Sequence, residues 1–401
     1  MFNIFVIFAY LQTFMESAFN YSTPVTGKSF IGRKNDARVL GNLLSQGENV
    51  AVFCPPKSGL TSLIQESILG MRAGGSDFSV AMVQLRDIRS RQDFLLRLGD
   101  EVCRAAASTA DEFSRLIRTY LAGSHFVFDS RQYAENGRIL SLKWDVDDED
   151  TLALFRFPFL VASESGRQMV IVLEQFQCLD LLDDGYVVLK MLESVLKEAH
   201  SQIGMNLCRF VMTGSQVNAM KEIFEKRKMF HRLVECYTPS TIDEKDIIDH
   251  IHKALLSGGK VVDSDLLLGV CRIFRNEIWY INHFMAICDH LSKGYIMEPI
   301  MEKSLQMMIS IHEPRFNVYM DSLTNFQLSF LKAVIEGHKK FSSAEVINGY
   351  GLNSSANVKR VKEALMKKEI LTFNDKDEPE ILDPLFEYWV RKYFFGLKVE
   401  L

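Results

Sequence analysis

Lysine, serine, threonine and glycine residues are grouped behind an apolar run in NVAVFCPPKSGLTSLIQES, which extends from Asn49 to Ser67. The apolar run Val50–Phe53 predicts a short strand, the residues after it predict a turn-rich loop, and a helix is expected to begin at Leu60. A loop in this setting can bind phosphate oxygens, because its backbone N–H groups and the positive end of the helix dipole both attract anions.

The loop has this layout but lacks the charge of the usual pattern G-x-x-x-x-G-K-[ST]. Cys54 replaces the first glycine, Gly59 keeps the second, and Leu60 stands where the lysine belongs. Thr61 keeps the hydroxyl that can ligate Mg²⁺. Lys57 lies inside the loop and could supply the missing cation, since a lysine needs only reach to contact phosphate. The alternative interpretation is a Pro-Pro turn that merely joins a strand to a helix.

A second apolar run, Met169–Leu173, predicts a central strand of a parallel sheet, and it is followed by Glu174 and Gln175. In nucleotide hydrolases that carry such a loop, one residue at this place holds Mg²⁺ and the next activates the attacking water. Glu174 keeps the negative charge for the metal, whereas the amide of Gln175 cannot take up a proton. A carboxylate after an apolar strand is also common without any such role.

A third apolar run, Cys208–Met212, ends in Thr213–Gly214–Ser215. Hydroxyl groups at the carboxyl end of a parallel strand lie at the edge of the sheet where ligands bind. The order of the three strands, with a loop after the first, an acid after the second and hydroxyls after the third, favours a phosphate site over an accidental turn.

The composition is that of a soluble globular protein, with 47% hydrophobic and 24% charged residues in 401. A net charge of −5 argues against a protein that coats polyanions but allows a local basic face. The seven scattered cysteines indicate reduced thiols, and we therefore expect a cytoplasmic protein. The apolar stretch Met1–Phe14 lacks a basic n-region and a cleavage site, so we favour a start at Met15 or an extra packed segment over a secretory signal.

Strands that alternate with helices up to residue 239 predict an α/β fold with a parallel sheet covered on both faces. Within it, Gly123–Asp150 is polar and rich in aspartate, which predicts an insertion or mobile surface; its aspartates lack the spacing of a calcium loop. After residue 239 the sequence shows only helical periodicity, which predicts an all-helical segment. Three helices and a two-stranded hairpin follow, and this is the order of elements in a winged helix-turn-helix. The expected domains are an N-terminal extension (1–28), a P-loop NTPase-like α/β domain (29–239), an all-helical lid domain (240–313) and a winged-helix domain (314–401).

The expected recognition helix of the winged domain, Asn353–Glu369, combines small polar residues at its start with basic residues further along. The candidate contacts to nucleic acid are Asn353, Ser355, Asn357, Lys359, Arg360 and Lys362. The expected wing is acidic and would repel phosphates, so double-stranded DNA and a protein partner both remain open. The aromatic residues Trp389, Tyr393, Phe394 and Phe395 have helical spacing and are expected in the core.

The combination of FIGRKND, PPKSGLTS, VIVLEQFQ, FVMTGSQ, FRNEIWYINHF and DPLFEYWVRKYFF resembles the archaeal-type ATPases, within the AAA+/STAND-like branch of P-loop NTPases, and in particular their Bacteroidetes members. The resemblance spans about Phe30 to Phe395. It implies an adenine side lined by Phe30, Gly32 and Arg33. It implies that the phosphates contact Cys54, Pro55, Pro56, Lys57, Ser58, Gly59, Leu60, Thr61 and Ser62. It also implies metal and water roles for Glu174 and Gln175, sensor roles for Thr213 and Ser215, and a phosphate contact for Arg232.

Three departures from the family pattern weaken catalysis. Members usually have Lys at Leu60, Asp-Glu at Glu174–Gln175, and a Gly-x-Pro turn near Asn276–Ile278. The resemblance therefore implies a regulatory or DNA-associated protein that binds ATP with Mg²⁺, while its hydrolysis is impaired or lost. Its enzymatic status stays open between a weak Mg²⁺-dependent ATPase and a pseudo-ATPase. The alternative is a non-catalytic winged-helix scaffold or DNA-binding regulator that binds no nucleotide.

Overall fold

The structure, a computed structural model, describes residues 18–201 and 207–398. The apolar stretch Met1–Phe14, with the start at Met15 that we favour, lies outside the described residues. The chain divides into two compact units. The sheet unit comprises Asn35–Pro55 and Leu63–Pro239, and the helical unit comprises Met1–Lys34, Pro56–Ser62 and Ser240–Leu401.

The strands of the sheet unit, in chain order, are β1 (Asn49–Phe53), β2 (Phe78–Gln84), β3 (Phe126–Phe128), β4 (Leu140–Leu142), β5 (Gln168–Glu174), β6 (Cys208–Gly214) and β7 (Val234–Tyr237). The helices that belong to it or lead into it are α1 (Lys34–Gln46), α2 (Leu60–Ala73), α3 (Arg91–Ala106), α4 (Ala110–Tyr120), α5 (Ser130–Asn136), α6 (Asp148–Ser165), α7 (Gly185–Ser201) and α8 (Val217–Lys221).

Five strands form one parallel sheet in the order β2-β5-β6-β1-β7. The apolar run in β5 is buried along its whole length, from Met169 to Leu173, because a strand in the middle of a parallel sheet has helices on both faces. The predicted parallel α/β sheet is thus confirmed. β7 was absent from the sequence prediction, since it is a short edge strand with Glu235 and Cys236 exposed.

The segment Gly123–Asp150, predicted to be an insertion or mobile surface, contains the antiparallel hairpin β3–β4 with α5 between its strands. Its aspartates have structural roles that the composition does not reveal. Asp147 and Asp150 form a capping box at the start of α6. Asp150 is buried and also accepts hydrogen bonds from the backbone and the ring of His125, each at 2.8 Å. These bonds fix the polar segment in place.

The helical unit continues with α9 (Glu244–Ser257), β8 (Val261–Val262), α10 (Ser264–Phe274), α11 (Ile278–Leu291), β9 (Tyr295–Ile296) and α12 (Glu298–Asp321). The predicted all-helical segment therefore also contains a small parallel pair, β8 with β9. α12 runs on through Pro314, where the sequence placed the start of the winged domain. It does so because the buried Ile309, Phe316 and Met320 extend one apolar stripe past the proline.

The winged helix consists of α13 (Asn325–Ile335), α14 (Ala344–Gly349), α15 (Ser355–Lys367), β10 (Leu371–Phe373), β11 (Pro379–Ile381) and α16 (Pro384–Trp389). This order matches the prediction. Trp389 is buried against Phe316 and Phe386, as expected. The expectation was wrong for Tyr393 and Phe394, which are 47% and 46% exposed because the chain turns through a π-helix after α16. Across the described residues, none of the helices has the length and apolar character needed to span a bilayer.

Candidate functional site

The loop between β1 and α2 has the backbone shape of an anion-binding turn. Lys57 and Gly59 both have left-handed backbones, with φ of +73° and +80°. A Cβ atom on Gly59 would have no atom within 4 Å, so the space beside this glycine is open. α2 begins directly afterwards, at Leu60. Within the described ranges, the N–H groups of Gly59 and Leu60 donate to no backbone carbonyl outside the helix, which leaves them available to an anion.

The carboxyl edge of the sheet carries the polar residues that the sequence predicted there. Glu174 at the end of β5 pairs in register with the buried Thr213 of β6. Glu174 Oε2 accepts a hydrogen bond from Gln84 Nε2 at 3.1 Å. The backbone N–H of Cys54, just beyond β1, donates to the carbonyl oxygen of Gly214 at 3.2 Å. These bonds fix the strand ends from which a phosphate site in this fold is built.

Gln175 follows β5 in a left-handed conformation with φ of +62°. Its Oε1 accepts two hydrogen bonds, one from Ser215 Oγ and one from Gln177 Nε2, each at 2.7 Å. The side-chain oxygen is therefore held by two donors, and as an amide oxygen it cannot take a proton from water at neutral pH. Ser215, expected as a sensor, is one of the two residues that orient Gln175, and its sensor role stays a prediction.

Arg33, expected on the adenine side, forms hydrogen bonds with backbone carbonyls of the helical unit. Its Nη1 donates to Ser58 O at 2.5 Å and its Nε donates to Ser240 O at 2.6 Å. The preceding Gly32 has φ of +60°, and a Cβ there would lie 2.6 Å from Ile242 Cγ2. Phe30 is buried. The guanidinium group of Arg33 thus links the loop at Ser58 to the chain segment that leads into α9.

Lys57 places its ammonium group on aromatic rings of α11. The Nζ atom lies 3.7 Å from the centroid of the Trp279 ring and 5.1 Å from that of Tyr280. Burial and the guanidinium group of Arg315 lower the pKa of Lys57 to about 8, and the carboxylate of Asp383 acts in the opposite direction. Arg315 Nη2 itself donates to Asp383 Oδ2 at 2.5 Å. The sequence predicts Lys57 as a replacement for the missing phosphate lysine, and this role stays a prediction, since in the structure its ammonium group lies on the rings of Trp279 and Tyr280.

Two histidines, His283 and His312, pack against the ring of Trp279. His283 is buried beneath Tyr21, with ring centroids 4.3 Å apart and nearly parallel planes. His312 Nε2 lies 3.5 Å from His283 Nδ1. Burial and the charge of Lys57 lower the pKa of both histidines to about 4, and Arg315 lowers that of His312 further. Both rings are therefore neutral at physiological pH.

We expect the helical unit to lose stability as the pH falls from 6.5 to 4. Over this range the unfolded chain binds protons at His283 and His312 that the folded chain does not, so the free energy of unfolding decreases toward acid. The measurement is denaturant unfolding followed by fluorescence in a Trp144→Phe background, in which the two remaining tryptophans both lie in the helical unit.

The control compares glutamine at both histidines with glutamine at the exposed His290. The double variant should flatten the acid dependence, whereas His290→Gln should preserve it. An equally steep dependence in all three proteins would contradict the assignment to the buried pair.

The remaining residues that the sequence predicts as nucleotide contacts include Ser58, Ser62 and Arg232. Ser62 Oγ accepts a bond from the backbone N–H of Val25 at 3.0 Å, and Ser58 is buried with its hydroxyl unpaired among the described residues. Arg232 is exposed, with a left-handed backbone, in the turn before β7. Their roles in nucleotide binding stay predictions.

The residues of α15 that the sequence predicts as contacts to nucleic acid differ in their exposure and in their partners. Lys359 and Arg360 are exposed, and neither forms an ion pair with another described residue. Lys362 instead pairs with Asp377 of the wing, and its Nζ lies 3.6 Å from the centroid of the Phe373 ring. The side chain of Asn357 donates a hydrogen bond to the carbonyl oxygen of Leu352, in the loop before the helix, at 3.0 Å. The other two predicted contacts, Asn353 and Ser355, are exposed at the start of the helix and stay predictions.

Among the residues that the structure describes, one further group of side chains has the composition of a metal site. Ligand atoms of His125, Asp147 and Asp150 lie within 4.8 Å of one another. The capping box of α6 and the bonds between His125 and Asp150 already use these atoms. Their arrangement is explained by the fold without an ion.

These features define a class of protein: a P-loop ATPase fold of five parallel strands, followed by helices and a C-terminal winged helix. A family described as a probable winged helix domain matches residues 314–392. A search of curated protein sequences gives no match.

Two solved structures of archaeal proteins share the fold over most of the chain. A Walker-type ATPase of Pyrococcus abyssi is similar with a TM-score of 0.62 at 12% sequence identity, covering 93% of this chain and 99% of that one. The ORC2 protein of Aeropyrum pernix, solved as ADPNP-ADP complexes, gives 0.52 at 12% identity and covers 90% and 93%. The predicted resemblance to archaeal-type ATPases is confirmed at the level of the fold.

Proposed function

We propose that this protein binds an adenine nucleotide at the loop Cys54–Ser62 and that its hydrolysis of the nucleotide is impaired. The observation that carries the first part is the open loop backbone, in which Gly59 has φ of +80° and the N–H groups of Gly59 and Leu60 lie at the start of α2. Support also comes from the ORC2 protein, which shares the fold and was solved with ADPNP and ADP.

The residues fit the phosphates of such a nucleotide better than they fit its hydrolysis. Backbone N–H groups and the helix dipole would bind phosphate oxygens without a side-chain charge. Thr61 and Glu174 are the proposed ligands of Mg²⁺, which would neutralise phosphate charge when bound. Leu60 supplies no cation for the transition state, and Gln175 can hold a water molecule by hydrogen bonds but cannot take its proton. Binding without efficient hydrolysis follows.

Calorimetric titration with MgADP and MgATP tests this proposal. We expect binding by the native chain, and we expect Gly59→Ala to weaken it about tenfold or more, because the methyl group would occupy the open space beside the loop. Gly75→Ala is the matched control, since Gly75 has φ of +85° and equally open space but lies outside the loop. Absence of heat at millimolar nucleotide would overturn the proposal.

For the winged helix we propose contact with duplex DNA through Lys359 and Arg360. Both side chains are exposed on α15, the helix that corresponds to a recognition helix. Moreover, the acidic wing is partly neutralised within the domain, because Glu378 pairs with Lys339 at 2.6 Å and Asp377 pairs with Lys362. The repulsion of phosphates that the wing sequence predicts is thereby reduced. A protein partner remains the alternative.

A further inference from the structure

The loop lysine is held in a position that its sequence does not predict. Lys57 has a left-handed backbone, which is uncommon for a residue other than glycine. The next residue, Ser58, is fixed through its carbonyl by Arg33. The ammonium group then lies over the face of Trp279 at 3.7 Å, with Tyr280 at 5.1 Å. Both distances are within the range of cation–π attraction.

The aromatic surface under Lys57 is itself fixed by packing. The Trp279 ring meets His283 edge-on at 5.2 Å and His312 at 5.9 Å, and Tyr21 contacts both Trp279 and His283. The neighbouring Tyr280 is buried. Because these rings support one another, Trp279 offers a preformed site for the ammonium group.

Within the described part of the chain, the ammonium group meets no hydrogen-bond acceptor in this position. Among the described residues, no carboxylate or carbonyl oxygen accepts a hydrogen bond from Lys57 Nζ, although an ammonium group has three donors. The charged groups that face it are Arg315 and Asp383, and these two pair with each other. The histidines beside it are neutral at physiological pH. Lys57 is therefore charged, partly desolvated and unmatched by an anion, a state that a phosphate oxygen would relieve.

We propose that Trp279 and Tyr280 form an autoinhibitory latch that holds Lys57 on their rings until the phosphates of a nucleotide draw it away. This inference rests on the proposed nucleotide binding at the loop. The latch lowers the apparent affinity for nucleotide, because the lysine must leave the rings before it can contact phosphate. Release of Lys57 also frees the face of Trp279, which transmits the binding event from the loop to α11 within the helical unit.

Release of the latch can be observed directly by NMR of the full-length protein with ¹³C-labelled lysine. Protons of Lys57 that lie over the indole face should be shifted upfield by the ring current, and Lys57→Arg identifies their signal. The upfield shift should vanish in Trp279→Leu and should persist in Trp144→Leu, which changes an exposed tryptophan of the sheet unit. Addition of MgADP to the native protein should also remove it.

The second readout is the affinity for MgADP. Trp279→Leu should raise it about tenfold, the factor expected for loss of a well-formed cation–π contact, and Trp279→Phe should give a smaller gain. The gain should disappear when Lys57→Met is added. Trp279→Phe keeps an aromatic ring in the core, so it covers the case in which the leucine variant fails to fold.

The outcomes separate the two proposals. An upfield shift that persists with bound MgADP, or a lower affinity in Trp279→Leu, would overturn the latch alone and show that the ring supports Lys57 in the bound state. Absence of MgADP binding in every variant would overturn the proposed function and the role of the latch together.

Discussion

Replacing Leu60 by lysine and Gln175 by glutamate in the same chain should produce a substantially faster ATPase. The lysine restores a cation at the first residue of α2, directly after the open Gly59. A lysine there neutralises the β- and γ-phosphate oxygens as charge develops in the transition state. The glutamate supplies a group that can accept a proton from the attacking water.

The surroundings of Gln175 are suited to this substitution. Ser215 Oγ and Gln177 Nε2 both donate to Gln175 Oε1 at 2.7 Å, and a carboxylate oxygen would accept both bonds with greater strength. Glutamate has nearly the shape of glutamine, so the two donors should orient it as they orient the amide. A positioned general base contributes about 10²–10⁴-fold to a rate, and we therefore expect the double variant to exceed the native rate by at least about 10²-fold.

Release of phosphate under saturating MgATP measures the effect. The matched control carries Gln175→Glu with Leu69→Lys, which adds the same charge at an exposed position of α2 away from the loop. This control should hydrolyse ATP more slowly than the double variant. Equal rates in the two proteins would contradict the role that we assign to the position of Leu60.

The sequence was sufficient to predict the elements whose pattern is local. The apolar runs in β1, β5 and β6 are continuous because both faces of a parallel sheet are covered, and the helices of the winged domain begin at capping residues such as Thr324 and Ser354. β7 escaped prediction because an edge strand with two exposed residues has no such pattern. The buried Asp150 escaped it because its partners are fixed by the hairpin β3–β4, and a polar composition is typical of a surface.

The residues of the candidate site also fall into those that the sequence predicts and those that only the tertiary structure reveals. The loop, Glu174 and Gln175 could be identified by their order along the chain, since the carboxyl ends of parallel strands meet at one edge. The rings under Lys57 could not, because Trp279 lies far from the loop in sequence and aromatic residues at helical spacing more often belong to a core. Arg33 is a similar case: its motif could be recognised, but its bonds to Ser58 and Ser240 depend on the tertiary fold.

Alanine at both Lys359 and Arg360 is expected to weaken binding to duplex DNA and to reduce its dependence on salt. Each lysine or arginine that neutralises a phosphate releases counterions, so the slope of log K against log salt should become less steep by about 1.8 for two lost contacts. Both side chains are exposed on α15 and keep no ion pair with another described residue, so their removal should leave the domain folded.

Lys362→Ala is the internal control for this experiment. Lys362 belongs to the same helix and carries the same charge, but its ammonium group pairs with Asp377 and lies over Phe373. Its loss should lower the stability of the wing and leave the salt slope nearly unchanged, because no phosphate contact is removed. Binding to a random-sequence duplex at several salt concentrations gives the three slopes. If Lys359→Ala/Arg360→Ala and Lys362→Ala have the same slope as the native chain, the exposed face of α15 makes no phosphate contacts, and a protein partner becomes the better proposal for the winged helix.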